Sequence, residues 1–272
     1  MATEAFFLPA DSGQRFCLFH AARAARALGA VLYVHPFAEE MNKSRRMAAL
    51  QARAMAEAGY AVLQIDLLGC GDSSGDFGDA GWNAWVEDIA LACRWLQRHV
   101  PAPLWLWGLR AGCLLAAEAA RRLDAPCRFL FWQPMTNGSL VLQQFLRLKL
   151  AGNLLGGRAK GTLDALRQDL ADGRTIEVAG YALSPPLAQG LEHATLAPPP
   201  HAMRLEWLEL SPREDADLSA AAITGKGQWE QAGCHVRCEL ARGPAFWQTT
   251  EIEDAPALVG ATLAALAEPV AA

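Results

Sequence analysis

The chain has 272 residues, 52% of them apolar, which is enough for one large hydrophobic core or two small ones. Its 24 basic and 29 acidic residues give a net charge of −5, which offers no electrostatic basis for binding nucleic acid. The seven cysteines are scattered without Cys-x-x-Cys spacing, and the start, Met1 to Glu4, lacks the basic region of a signal peptide. We therefore expect a cytoplasmic protein with reduced thiols, no metal site and no cofactor.

The first half of the chain alternates between predicted strands and predicted helices. Residues 4–20 predict an antiparallel hairpin that turns at Asp11-Ser12-Gly13. Continuous apolar runs predict buried strands at 30–34, 60–65, 104–107 and 127–132. Helical periodicity and stop signals predict helices at 46–58, 82–99 and 111–123. This alternation is typical of an α/β protein with a mostly parallel sheet covered by helices on both faces.

Residues 135–200 interrupt the alternation. They contain an apolar helical run at 139–155, the pair Gly156-Gly157, a second helix near 162–171 and two proline-rich stretches at 184–186 and 198–200. The pattern then resumes with a strand at 203–210, a helix that contains Trp229, a strand at 234–241 and a closing helix at 255–267. We interpret the chain as one domain, residues 1–272, with an insertion at about 135–200.

Three motifs follow strands of the predicted sheet. They are His35-Pro36-Phe37-Ala38-Glu39-Glu40-Met41-Asn42-Lys43, the glycine-rich stretch from Asp66 to Gly78, and Trp107-Gly108-Leu109-Arg110-Ala111-Gly112. In these blocks the chain resembles the second family of hydrolases associated with the exosortase A system, and over nearly its full length it resembles the α/β-hydrolase superfamily. The resemblance implies an α/β-hydrolase fold, a helical lid at the insertion, and a place in a bacterial system that makes exopolysaccharide.

The third motif resembles the nucleophile elbow of that superfamily, but its nucleophile is missing. Gly108, Ala111 and Gly112 supply the small residues that the sharp strand-to-helix turn requires, while Arg110 stands where the serine belongs. An arginine stays protonated and cannot attack a carbonyl. The resemblance places the acid of the triad at Asp215 or Asp217, and no histidine follows His235. The usual Ser-His-Asp relay therefore cannot be assembled.

Arg110 has two interpretations. Beside the N–H of Ala111 and the positive end of a helix, its guanidinium is suited to clamp a carboxylate or a phosphate. Alternatively, it forms an internal salt bridge to Glu39, Glu40 or Asp215, because a buried guanidinium requires a partner.

The remaining candidate site residues also have a functional and a structural interpretation. His35 is either a relocated base or a structural hydrogen-bonding residue, and the Phe37 N–H is the expected oxyanion donor, since Pro36 has none. Glu39 and Glu40 line a pocket mouth or are simply solvated. Ser73 either contacts a ligand or only builds a turn. Cys70 and Cys113 are either displaced nucleophiles or buried core residues. Phe246 and Trp247 either close the pocket by aromatic packing or stack on a ligand.

We carry three hypotheses for function. The first is an accessory protein that binds a small acidic or acyl ligand, in a carrier-linked form, during exopolysaccharide production. The second is an ester or thioester hydrolase or acyl transferase that uses Arg110, His35 and an acid from Glu39, Glu40 or Asp215. The third is a structural interaction partner. The basic, apolar run from Leu140 to Leu155 also predicts peripheral membrane contact through the lid, or packing on the core or on a second subunit of a homodimer.

Overall fold

The computed structural model describes residues 3–155 and 162–268, with side chains described up to residue 151 in the first range. Ten strands lie in these ranges: β1 (Thr3–Pro9), β2 (Gln14–His20), β3 (Gly29–Val34), β4 (Tyr60–Ile65), β5 (Leu104–Leu109), β6 (Cys127–Trp132), β7 (Ile176–Val178), β8 (Tyr181–Leu183), β9 (Ala202–Ser211) and β10 (His235–Arg242). Eight of them form one sheet in the order β1-β2-β4-β3-β5-β6-β9-β10. The β1–β2 hairpin joins β4 antiparallel, and the other pairs are parallel. The predicted, mostly parallel sheet is confirmed.

Helices cover both faces of the sheet, and the alternation of strand side chains divides the core in two. The helices are α1 (Glu39–Glu57), α2 (Trp82–His99), α3 (Gly112–Ala120), α4 (Gly138–Leu155), α5 (Leu163–Ala171), α6 (Pro185–His193), α7 (Ala220–Gln231) and α8 (Pro256–Ala267). On β5, Leu104 and Leu106 pack in the core under α2, α3 and α7, while Trp105 and Trp107 pack in the core under α1 and α8. This period of two is expected for a strand that is buried on both faces.

Two sequence predictions need correction. Helix α1 begins at Glu39, not at Arg46, so the polar block after β3 is mostly the first turns of a helix. The proline-rich stretch at 184–186 opens helix α6, where the Ser184 hydroxyl accepts a hydrogen bond from the Leu187 N–H at 3.2 Å. A serine cap followed by proline is a helix start signal, because proline lacks the N–H that the first helical turn leaves unpaired.

The insertion between β6 and β9 contains α4, α5, the β7–β8 hairpin and α6. Its apolar residues, among them Phe145 and Leu187, join the core that also contains Phe37 and Trp85. The insertion therefore packs on the loop after β3, close to the carboxyl ends of the parallel strands. Its function as a lid stays a prediction, and the Gly156-Gly157 break lies outside the described residues.

Candidate functional site

The turn between β5 and α3 has the geometry of a nucleophile elbow. Arg110 has a φ of +55°, in the left-handed region that costs a side chain with a Cβ roughly 1–2 kcal/mol. The neighbouring backbones leave no room for side chains: a Cβ on Gly112 would lie 2.3 Å from the Val34 carbonyl oxygen, and one on Gly108 would lie 2.7 Å from the Cα of Cys113. The predicted strained elbow backbone is confirmed, with an arginine at its tip.

The guanidinium of Arg110 is buried and surrounded by partners. Its Nε and Nη2 lie 3.2 Å and 3.1 Å from the same carboxylate oxygen, Oε1 of Glu40. Nη2 also donates to Oε1 of Gln144 at 3.1 Å, and Nη1 contacts the sulfur of Met135 at 2.9 Å. The guanidinium carbon lies 5.5 Å from the centre of the Trp247 ring. Of the three salt-bridge partners that the sequence left open, Glu40 is the one that pairs with Arg110.

Two adjacent carboxylates begin helix α1 beside this cation. Burial raises the pKa of Glu40 above its ordinary value, and the charge of Arg110 and its hydrogen bond to the carboxylate oppose that rise. Burial also raises the pKa of Glu39, and one oxygen of that carboxylate is inaccessible and has no hydrogen-bond partner among the described residues. Glu40 is thus paired, whereas Glu39 carries a buried acceptor that its neighbours do not use.

A cavity of about 300 Å³ lies against this group of side chains. One wall is apolar, with the rings of Phe37 and Phe145 in edge-to-face contact at 5.1 Å. Arg110 is in contact with Glu40, Gln144 and Trp247, and all three of these residues also line the cavity. The full lining is Phe37, Glu39, Glu40, Lys43, Val141, Gln144, Phe145, Leu148, Trp247 and Gln248. The cavity therefore joins an apolar surface to a charged end that lies next to the elbow.

His35 lies on the other side of the loop and does not line this cavity. Its Nδ1 donates to the carbonyl oxygen of Pro36 at 2.8 Å, and its Nε2 accepts from the N–H of Leu67 at 3.4 Å. Burial lowers the pKa of His35 below its ordinary value. Both ring nitrogens of the neutral imidazole are therefore already hydrogen-bonded, and the bond to Leu67 links the loops after β3 and β4. These contacts favour the interpretation of His35 as a structural residue over that of a relocated base.

Asp215 and Ser73 are not brought to the elbow cavity. The Asp215 side chain is 81% exposed, and its contact is an ion pair with Arg213 at 3.4 Å. The Ser73 hydroxyl donates to the carbonyl oxygen of Asp66 at 2.5 Å and accepts from the N–H of Phe16 at 2.8 Å. Ser73 thus fastens the glycine-rich turn to β2, which is the role of a turn residue rather than of a ligand contact.

Two aromatic residues in the loop after β10 pack in the core beside the elbow. Phe246 and Trp247 are 1% and 4% exposed, and their rings lie 5.1 Å apart, with Phe246 against Trp132. Trp247 lies in the loop after β10, which contains no histidine. A ring buried to this degree offers little free surface for stacking a sugar.

The two candidate cysteines are buried. Burial raises the pKa of the Cys70 and Cys113 thiols well above their ordinary value, so neither is prepared to act as a thiolate. In residues 3–155 and 162–268 no three His, Cys, Asp or Glu side chains form a group that could hold a metal ion.

Met135 and Gln144 are site residues that the sequence did not single out. Met135 lies three residues beyond the end of β6, at the carboxyl end of the sheet beside the elbow. Ligand sites of parallel sheets lie at the carboxyl ends of the strands, so this position was a signal that could have found Met135. Gln144 gave no comparable signal, since a polar residue on an apolar helix normally faces water.

The fold and the elbow together define an α/β-hydrolase-fold protein. Est1E from Butyrivibrio proteoclasticus, solved with ferulic acid bound, superposes with a TM-score of 0.68 at 15% identity, over 96% of this chain and 98% of that one. At that identity the likeness shows the fold alone. A family model, serine aminopeptidase S33, matches residues 25–163, and the chain belongs to that family.

Two curated relatives match parts of the chain. Human protein ABHD12B is 27% identical over 164 residues, which cover 58% of this chain and 44% of the relative. The lysophosphatidylserine lipase ABHD12 of Danio rerio is 28% identical over 112 residues, 39% of this chain and 28% of the relative. The chain thus matches less than half the length of either. No helix among the described residues is both long and apolar enough to cross a membrane.

Proposed function

We propose that this chain is a non-standard member of its family that binds a small ligand with an acyl part in the cavity beside Arg110, instead of performing serine hydrolysis. One observation carries the proposal: the elbow holds a buried arginine, and three residues that contact it, Glu40, Gln144 and Trp247, line a cavity. Neither the hydroxyl nor the histidine of a serine hydrolase is present at this place. A binding site needs neither.

The apolar wall supports the acyl part of the ligand. Phe37, Val141, Phe145 and Leu148 present hydrocarbon to a cavity whose volume, about 300 Å³, is at the small end of the range for small-molecule sites. Such a cavity suits one short chain rather than a lipid with two long ones. Burying that chain against the wall supplies the free energy of binding.

An acidic group on the ligand competes with Glu40 and Gln144 for Arg110. Arg110 already neutralises Glu40, so an acidic group reaches its guanidinium only by displacing the carboxylate of Glu40 or the amide of Gln144. Protonation of Glu40 lowers the cost of that exchange, and the raised pKa of Glu40 favours protonation. Lys43, at the edge of the cavity, is the alternative cation.

Calorimetric titration with octanoate and octanol tests both parts of the proposal. Binding of both compounds is the expected result, and tighter binding of octanoate supports the acidic part. Val141→Trp fills the cavity and is expected to weaken both by about tenfold or more. Leu140→Trp, on the same helix but outside the cavity, is the matched control. If neither compound binds, the proposal fails.

The enzymatic alternative has its own test. Fluorophosphonate labelling of serine is expected to fail, and strong labelling that Ser73→Ala abolishes would show that a serine nucleophile works here. Hydrolysis of an octanoyl thioester that is lost in both His35→Ala and Arg110→Ala, in folded protein, would favour the hydrolase or acyl-transferase hypothesis. Turnover that is unchanged in both variants would show that neither His35 nor Arg110 takes part in the reaction.

The cellular role that we propose is exopolysaccharide production in an exosortase A system, supported by the resemblance of the three loop motifs. Deletion of the gene in its native host is expected to lower the yield of exopolysaccharide. The wild-type gene should restore the yield, and Val141→Trp should not. Normal yield without the gene contradicts this role.

A further inference from the structure

The outer face of helix α4 is exposed and carries leucines. Leu140 is 48% exposed and Leu148 39%, although large aliphatic side chains are mostly buried in this protein. Gln144, Arg147 and Ala151 are exposed between and beyond them. Spacings of three and four residues place all five side chains on one face of the helix. We call this set, Leu140, Gln144, Arg147, Leu148 and Ala151, the α4 face.

The charge of α4 is positive, against the balance of the whole chain. Its 18 residues contain Arg147 and Lys149 and no acidic residue, in a protein whose net charge is −5. Lys149 points to the β7–β8 hairpin and donates to the carbonyl oxygen of Glu177 at 2.7 Å. A helix with exposed leucines beside an arginine and without acids complements a surface that is apolar and anionic.

The α4 face is continuous with the cavity beside the elbow. Gln144 and Leu148 belong both to the α4 face and to the lining of the cavity. An acyl chain that leaves a bilayer in contact with the α4 face therefore enters the cavity without crossing water. We infer that the α4 face docks on an anionic lipid bilayer and delivers single-chain ligands dissolved in that bilayer into the cavity. The delivery, but not the docking, rests on the proposed function.

A second copy of the chain is a poorer occupant of this face. In a two-fold dimer the same face meets itself, which would bring basic helix against basic helix with no acidic residue on α4 to pair with either. An anionic membrane surface supplies the missing negative charge.

Cosedimentation of the full chain with lipid vesicles tests the docking. We expect tighter binding to vesicles that contain phosphatidylglycerol than to vesicles of phosphatidylcholine alone. Leu140→Ser combined with Leu148→Ser should lower the partition constant about tenfold or more, because two apolar anchors are lost. Arg147→Gln should lower it about fivefold on the anionic vesicles only.

Exposed apolar residues elsewhere provide a matched control. Met203 and Ile223, 55% and 64% exposed, lie on β9 and α7, and changing both to serine should leave vesicle binding unchanged. The inference is overturned if the wild-type chain ignores anionic vesicles, if the leucine variant binds as well as the wild type, or if the control variant loses as much. It is also overturned if sedimentation shows a dimer that the leucine variant dissociates. Thermal melting verifies that each variant is folded.

Docking and ligand binding can fail separately. Leu140 lies outside the cavity, so Leu140→Ser is expected to weaken vesicle binding and to leave the affinity for dissolved octanoate unchanged. Octanoate binding without vesicle binding overturns the docking and leaves the proposed function in place. Vesicle binding without octanoate binding supports the docking and overturns the proposed function.

Discussion

Arg110 and Glu40 depend on each other because both are buried. The guanidinium side chain is 9% exposed and the carboxylate 13%, and removing one partner leaves an uncompensated charge. Arg110→Met is therefore expected to lower the free energy of unfolding at pH 7 by about 3 kcal/mol, because it leaves the buried Glu40 carboxylate without its cation. Adding Glu40→Gln should recover most of that loss, since a neutral amide then replaces the unpaired carboxylate. Urea unfolding of the two single variants and the double variant gives the coupling energy.

An exposed ion pair supplies the control for this cycle. Arg213 and Asp215 are 72% and 81% exposed, so Asp215→Asn should change stability by less than about 0.5 kcal/mol. A loss in Arg110→Met no larger than that of Asp215→Asn would mean that the pair at the elbow does not hold the site together.

Glu39 makes the stability of the protein depend on pH. Its folded-state pKa is raised, so the folded protein holds the proton more tightly than the unfolded chain. The stability that this gives is complete below the ordinary pKa of 4.5 and is lost as the pH rises through the folded-state pKa. Glu39→Gln carries no such charge and should be more stable than the wild type at pH 7, with the difference vanishing in acid.

Urea unfolding between pH 4 and pH 7 measures this difference. The same change at Glu57, on the same helix but 57% exposed at its side chain, should alter stability by less than about 0.5 kcal/mol. A Glu39→Gln variant that is less stable than the wild type at pH 7 would show that the Glu39 carboxylate has a partner in solution.

At the scale of elements, the elbow depends on the contact between the start of α3 and the end of β3. A Cβ at position 112 would lie 2.3 Å from the Val34 carbonyl oxygen and 2.6 Å from that of His35, and backbone cannot move aside cheaply. Gly112→Ala is expected to cost about 3 kcal/mol, measured by urea unfolding. At Gly260, inside α8, a Cβ meets nothing within 4 Å, so Gly260→Ala should stabilise by about 0.5–1 kcal/mol. Equal effects at the two positions would contradict the tight elbow.

Periodicity predicted most elements because each of them buries one face over many residues. Helix α2 and strand β6 have the predicted bounds, as their apolar residues keep one period from end to end. The start of α1 escaped prediction, because Glu39, Glu40 and Lys43 give its first turn a polar pattern that resembles a loop. The three-residue strands β7 and β8 are too short to show a period at all.

At the scale of the whole molecule, the site is assembled from parts that are distant in the chain. The first turn of α1, the elbow, helix α4 and the last loop supply Glu40, Arg110, Gln144 and Trp247. The elbow motif alone predicted Arg110 at the site, since the small residues around it require a sharp turn. Its partner could not be chosen from the sequence: adjacent residues on a helix point about 100° apart, so the choice between Glu39 and Glu40 depends on where α1 begins. Asp215 was excluded only by the path of the loop after β9.

Because the cavity joins these distant parts, a ligand bound in it should stabilise the entire fold. Its walls come from α1, α4 and the last loop, which separate on unfolding, so a ligand that binds the folded state alone adds its binding free energy to stability. With octanoate at a hundred times its dissociation constant, the free energy of unfolding should rise by about 2.7 kcal/mol. In Val141→Trp the rise should disappear at the same concentration, while Leu140→Trp should keep it. Urea unfolding with and without octanoate measures the change, and stabilisation that persists in Val141→Trp would place the ligand elsewhere on the protein.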